Sequence, residues 1–185
     1  VVFWMESLVN SDDWEIMMDD CDITKWGPIA PNGFFLIDIN FSEDDAYAIQ
    51  AEWVRVKQAT GDPIIGWKIG LTSKAMQQAL LIDIPDSGVL LKSMDFASGS
   101  TIPAGRFIQP RIEAEIAFVT RAPMDDPSLE AILDATEYVA PALEILDTRI
   151  TRKDPETWRL RTVYDTISDN AANGGIVMGA PVRDF

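Results

Sequence analysis

The chain has 185 residues, 47% of them hydrophobic, and sets 15 Lys and Arg against 30 Asp and Glu for a formal net charge of −15. That length suits one domain with a proper core plus a small appendage, and the composition is that of a soluble globular chain. The acidic balance disfavours nucleic acid and anionic membrane as partners, since neither gains from counterion release or surface attraction.

Histidine is absent. That removes the usual general base, the Ser-His and Cys-His nucleophile systems and histidine metal sites, so acid–base work falls to Lys, Asp, Glu or Tyr. The single cysteine, Cys21, rules out an intrachain disulfide and points to a reducing cytoplasm. Nothing near Cys21 activates it, and it reads as a small inert side chain. No apolar run reaches the roughly 18–20 residues of a membrane span. The opening VVFW is too short for a signal-peptide core, and a first residue other than Met reads as a trimmed or partial N-terminus.

Residues 1–37 mix aromatics (Trp4, Trp14, Trp26, Phe34, Phe35) with acids and carry no motif beyond a short strand within 28–37. Ser42 to Gly61 is the clearest helix. Ser42 caps it with Asp45 as capping-box partner, Ala46, Ile49, Trp53 and Val56 form its buried stripe, and Gly61 stops it. Ile64 to Leu71 is a buried strand interrupted by Gly66 and Gly70, where glycine marks a bulge or a close approach. Lys68, inside that run, either snorkels out or is desolvated and functional with a lowered pKa. Thr72 and Ser73 then cap a short helix over 74–80, whose free N–H groups suit an anion. Asp83 and Asp86 flank Pro85 in a loop and read as turn formers.

Pro110 to Val119, PRIEAEIAFV, is the stretch around which the chain is organised. As a strand it puts Ile112, Ala114, Ile116 and Phe118 on one face and Glu113 and Glu115 on the other, the two carboxylates roughly 6–7 Å apart. Two readings stand. A sheet with one wet face needs no explanation for its glutamates. Alternatively the pair is half of a site for a hard divalent cation, which relieves the cost of burying like charges. Further on, Asp126-Pro127-Ser128 opens a helix of about ten residues with Pro127 at its first position. Tyr138 to Ile150 reads as a strand in which Glu144 is either a third metal carboxylate or the partner of Arg149 or Arg111. Residues 151–162 are a polar loop. In SDNAANGG at 168–175, Asp169, Asn170 and Asn173 read first as helix caps.

GWKIGLTSKAMQ at 66–77, IDIPD at 82–86, QPRIEAEIAFV at 109–119, PALEILDTRI at 141–150 and DTISDNAANGGIVMG at 165–179 occur in an order that resembles the 2-oxo acid hydratases and decarboxylases of the fumarylacetoacetate hydrolase superfamily. The likeness covers about residues 40–185, and DPET at 154–157 points to its dicarboxylate branch. The resemblance implies an α+β fold, a mostly β mixed-sheet core of the fumarylacetoacetate hydrolase type with peripheral helices, lacking the family's C-terminal strands. It divides the chain into an N-terminal helical and irregular region, 1–62, and a metal-binding catalytic β-rich domain, 63–185, incomplete at its C-terminus. It implies Mg²⁺ or Mn²⁺ on Glu113, Glu115 and Glu144, catalytic roles for Lys68 and Asp83, and substrate contacts from Arg111, Arg149, Thr72 and Ser73. The implied activity is a hydro-lyase adding water to an unsaturated 2-oxo dicarboxylate. The alternatives are decarboxylation of a 2-oxo-3-enedioate, or a shortened relative that binds metal and oxo acid without turnover. The implied partners are a small 2-oxo dicarboxylate and further copies of the chain in a homo-oligomer, with neither nucleic acid nor membrane. Residues 1–37 and Trp67, where many relatives carry histidine, depart from the family pattern.

Overall fold

The computed structural model describes residues 2–5, 42–72, 74, 77–78, 84–124, 126, 128–155 and 157–183. The expected strand within 28–37 lies outside them.

Among the described residues the strands form two sheets. The larger is built on a long antiparallel ladder between β5 (Arg111–Thr120) and β6 (Thr136–Leu146), in which Arg111 faces Leu146 and Glu113 faces Glu144. β7 (Asn173–Met178) pairs with the other side of β6, Ile176 opposite Glu144. Beyond it, β4 (Asp95–Phe96) runs parallel to β7. On the far edge, β1 (Val2–Met5) pairs antiparallel with β5 and brings Met5 opposite Glu115. The smaller sheet pairs β2 (Ile64–Gly70) with β3 (Asp86–Leu91), Lys68 opposite Gly88 and Gly70 opposite Asp86. Its register slips at Gly66, the bulge that an interior glycine announces. Asp86, read from sequence as a turn former, is instead the first residue of β3, because the apolar run Val89-Leu90-Leu91 draws the whole segment into a strand.

The two sheets pack through Leu90, Ala117, Ala142 and Ile176, with Ile65 and Met178 against them. Small residues on β5 and β6 let the layers approach, and each fully buried Leu or Ile contributes about 1.5–3 kcal/mol. The other face of the small sheet is covered by α1 (Glu43–Ala59), whose Val54 and Trp53 pack on Val89, Leu91, Met94 and Ile64. The helix starts as its sequence dictates: Ser42 and Asp45 form a reciprocal capping box, with Glu43, Asp44 and Asp45 in the positive first turn. Its buried stripe is rotated from the expected one. Ala46, Gln50 and Val54 are buried, while Ile49, Trp53 and Val56 are half-buried. Gln50 is drawn inward because its amide donates to Ser87 O at 2.8 Å and Ile167 O at 3.0 Å, which hydrophobic periodicity cannot register.

Two further elements differ from expectation. α2 (Leu129–Ala135) has seven residues rather than ten and is capped by Ser128, whose hydroxyl accepts from Ala131 N–H. The segment after α3 (Val163–Ser168) is not a cap alone. Asn170, Ala171 and Ala172 all have φ near +54°, one left-handed turn. From it the Asn170 amide spans to β3, donating to Val89 O at 2.9 Å and accepting from Val89 N–H at 2.7 Å. A Cβ at Gly88 would meet Asn170 O at 2.7 Å, so that position admits only glycine.

The faces of β5 are inverted relative to the wet-face reading. Glu115 is buried and Glu113 half-buried, while Ile112 is 66% and Ile116 54% exposed, with Leu143 of β6 open beside them. The carboxylates therefore face the inner layer, and their position needs a physical account. Among the described residues no helix is long and apolar enough to cross a membrane.

Candidate metal centre

Strand alternation aims Glu113 and Glu115 of β5 and Glu144 of β6 into the space between the two sheets. One carboxylate oxygen from each lies within 4.8 Å of the others. Glu113 and Glu144 are direct cross-strand neighbours, an arrangement of like charges that destabilises a sheet unless something lies between them. Both oxygens of Glu115 are buried without a hydrogen-bond partner among the described residues. Only hard oxygen donors converge here, the set that suits a small divalent cation, and the orphaned oxygens supply valences for it.

The facing sheet contributes Lys68 from β2, only 5% exposed. Its ammonium lies 3.5 Å from Glu144 Oε1, so Glu144 pairs with Lys68 rather than with Arg149 or Arg111. The snorkelling alternative is excluded. Burial pushes the ammonium down, and Glu144, Asp86 and Glu113 more than offset that, so the shift is upward rather than the expected lowering.

Asp86, at the start of β3, is the carboxylate the sequence reading passed over as a turn former. It is buried beside Lys68, and a Cβ on Gly70 would collide with its Oδ1 and sit 3.2 Å from Lys68 Nζ. Gly70 thus provides the close approach that an interior glycine suggests. Burial raises the Asp86 carboxyl, with Lys68 and the Gly70 backbone opposing. Burial likewise raises Glu144 against the pull of Lys68. Glu113 is pushed up to about 7, first by burial and then by the charge of Glu144. Glu115 is pushed up to about 8, by burial, Glu144 and Glu113. One ammonium among four carboxyl groups leaves a surplus of negative charge, and protons are held there for want of a second cation.

The remaining expected residues divide. Thr72 is half-buried just past the end of β2. Asp83 and Ser73 lie outside the described residues. Arg111 opens β5 on the same face as Glu113. Arg149 is not aimed at this centre. Its Nε donates to Asp169 Oδ1 at 2.6 Å, its Nη2 to Asp169 O and its Nη1 to Asn173 O, and its backbone N–H meets Asp169 Oδ2. That fork makes Arg149 the ion-pair partner of Asp169.

No family model matches the chain. Individual proteins do. It is 56% identical over 143 residues to the 2-oxo-hept-4-ene-1,7-dioate hydratase of Escherichia coli, covering 76% of this chain and 54% of that protein. It is 42% identical over 155 residues to the 2-keto-4-pentenoate hydratase of Paraburkholderia xenovorans LB400, covering 83% and 55%. Among solved structures, the 4-oxalocrotonate decarboxylase of Pseudomonas putida G7, complexed with magnesium and adipate, superposes with a TM-score of 0.67 at 32% identity over 76% of this chain and 52% of that one. The chain spans about half the length of the curated relatives it matches.

Proposed function

The chain belongs to the fumarylacetoacetate hydrolase superfamily, beside its 2-oxo acid hydratases and decarboxylases, and from that footing we propose that it is a metal-dependent hydratase acting on an unsaturated 2-oxo dicarboxylate of the 2-oxohept-4-ene-1,7-dioate type in the breakdown of aromatic compounds. The observation that carries the reading is the convergence of Glu113, Glu115 and Glu144 on one buried point, with Lys68 and Asp86 beside it.

Glu113, Glu115 and Glu144 would hold the cation, Mg²⁺ or Mn²⁺, which when bound supplies Lewis acidity toward the carboxylate and 2-oxo group of the substrate. Lys68 places a fixed positive charge and a proton where the enolate oxygen gains charge as the diene ketonises. Asp86 shares that proton network through its contact with Lys68. Asp83, from the same segment, is proposed as a second acid–base group. Water must then reach C4 and give up a proton, and a buried carboxyl with a raised pKa is suited to take it. Thr72 and Ser73 offer hydroxyl and N–H donors to the substrate's reacting end, and Arg111 offers a fork to its far end. The sandwich of two sheets keeps bulk water from these charges and so strengthens their effect. The open face of Ile112, Ile116 and Leu143 supports assembly into a homo-oligomer.

Loss of the conjugated substrate's ultraviolet absorbance, dependent on Mg²⁺ and without release of CO₂, tests the assignment. Stoichiometric CO₂ would overturn it in favour of the second reading, a 2-oxo-3-enedioate decarboxylase, which the likeness to the Pseudomonas putida enzyme favours.

A further inference from the structure

We propose that the Lys68 ammonium stands in for the metal at Glu144 in the metal-free chain and is handed to Asp86 when a divalent cation occupies the three glutamates. Asp86, which is not a ligand, would then set how tightly the cation is held. The inference rests on the metal-centre reading and deepens it, by naming the residue that couples loading of the site to the placement of Lys68.

The register of the small sheet sets up the exchange. Lys68 lies opposite Gly88, and Gly70 opposite Asp86. Lys68 and Asp86 are therefore diagonal neighbours on one face of an antiparallel pair, within reach of a long side chain. Lys68, Asp86 and Glu144 are all buried. The two glycines leave open the space that side chains would fill. A Cβ on Gly88 would lie 3.2 Å from Lys68 Cε, and one on Gly70 would sit 3.2 Å from Lys68 Nζ while colliding with Asp86 Oδ1. The ammonium and the Asp86 carboxylate thus face each other across a bare Cα, and the flexible lysine stem has room to turn between them.

The ammonium is poised between two acceptors and locked to neither. Its one ion pair among the described residues is with Glu144 Oε1, at 3.5 Å. That is longer than the roughly 2.7–2.9 Å of a charge-assisted hydrogen bond. Glu144 Oε1 and Asp86 Oδ1 are both buried without a hydrogen-bond partner among the described residues. Orphaned carboxylate oxygens are costly in such an enclosure, and the ammonium as placed satisfies neither. A cation held by Glu113, Glu115 and Glu144 takes up Glu144 and repels a positive charge at that distance. Asp86 Oδ1, across Gly70, is the anionic oxygen that receives the displaced ammonium. After the exchange every carboxylate of the group has a positive partner: the glutamates share the metal, and Asp86 takes Lys68. Without the Asp86 charge the ammonium stays beside Glu144, where it competes with the cation.

Calorimetric titration with Mg²⁺ of the wild-type chain, Asp86→Asn, Lys68→Met and the double variant tests the handover. Asp86→Asn keeps the shape of the side chain and removes its charge. With Lys68 present it should weaken Mg²⁺ binding about tenfold, the size of one charge-assisted contact. In the Lys68→Met background it should weaken binding less than about twofold, since no ammonium then needs a new partner. Equal weakening in both backgrounds would make Asp86 a plain charge acting directly on the metal, and no weakening in either would leave it without a part in loading. Each result overturns the handover and leaves the metal centre and the hydratase reading intact. Absence of Mg²⁺ binding by the wild-type chain overturns all three. Crystals of the wild-type chain grown with and without Mg²⁺ give an answer that does not depend on how the variants fold. The ammonium should leave Glu144 for Asp86 in the loaded form, and an ammonium that stays on Glu144 overturns the proposal.

Discussion

The Lys68 ammonium lies 3.5 Å from the Glu144 carboxylate, with each side chain about 95% buried. The pair joins β2 of one sheet to β6 of the other, so the ion pair also binds the two layers together. Because Glu113, Glu115 and Asp86 share the same enclosure, the pair is not neutral as a group, and the missing positive charge is what a divalent cation would bring.

Lys68→Met separates proton transfer from metal binding. Turnover should fall about 10²–10⁴-fold, the range for loss of a positioned acid–base group. Affinity for Mg²⁺ should hold or rise, because a repelling charge has left the site. Parallel activity assays and calorimetry read the two effects, and a joint loss would show that Lys68 only builds the site.

The metal-free protein should lose stability as pH rises. The carboxyl of Glu113 moves from 4.5 to about 7 and that of Glu115 from 4.5 to about 8 on folding. A raised folded pKa means that the native state holds protons the unfolded chain has released. The associated stability is complete below pH 4.5 and is lost as pH climbs through about 7 and 8. Melting temperatures between pH 5 and pH 9 should fall in metal-free buffer, and saturating Mg²⁺ should flatten the slope. Glu115→Gln should flatten it in part without metal, while weakening Mg²⁺ binding.

Arg149→Ala should behave as a folding variant. It strips the counter-charge from Asp169, whose carboxyl burial already raises. Breaking a buried pair from one side costs about 3–5 kcal/mol, to be read as a lowered urea midpoint. Mg²⁺ affinity of the remaining folded fraction should be unchanged, since the Arg149 guanidinium meets Asp169 and Asn173 rather than the three glutamates.

The left-handed turn at Asn170, Ala171 and Ala172 carries its own prediction. Asn170→Ala takes the side-chain partner from the buried N–H of Val89, while the Val89 C=O keeps the Asn173 amide at 3.1 Å, at about 1–3 kcal/mol for the group so stranded. Ala171→Gly should act in the opposite sense, because an L side chain in that conformation costs about 1–2 kcal/mol. Chemical denaturation of the two variants measures both.

Elements governed by short-range chemistry were legible in the sequence. The Ser42–Asp45 box, the Gly66 bulge and the alternation of β5 all follow from neighbours within a few residues. The three glutamates were legible as a set through family resemblance, since alternation alone left the wet-face reading open. What the sequence hid depends on partners far along the chain. Gln50 is buried by carbonyls 37 and 117 residues away. Asp86 looked like a turn former until β3 carried it under Lys68. Arg149 looked available for substrate until Asp169 closed on it across 20 residues.

The outward side of the β5–β6 ladder, with Ile112, Ile116 and Leu143 uncovered, has a colloidal consequence. Molecules that share this greasy strip also share fifteen surplus negative charges, and the two tendencies oppose each other across the gap between neighbours. Dissolved salt shortens the reach of the repulsion to about 8 Å at physiological strength and about 3 Å at molar strength, leaving the attraction in place. Purification in dilute buffer and purification in brine should therefore yield preparations of different particle size from the same polypeptide.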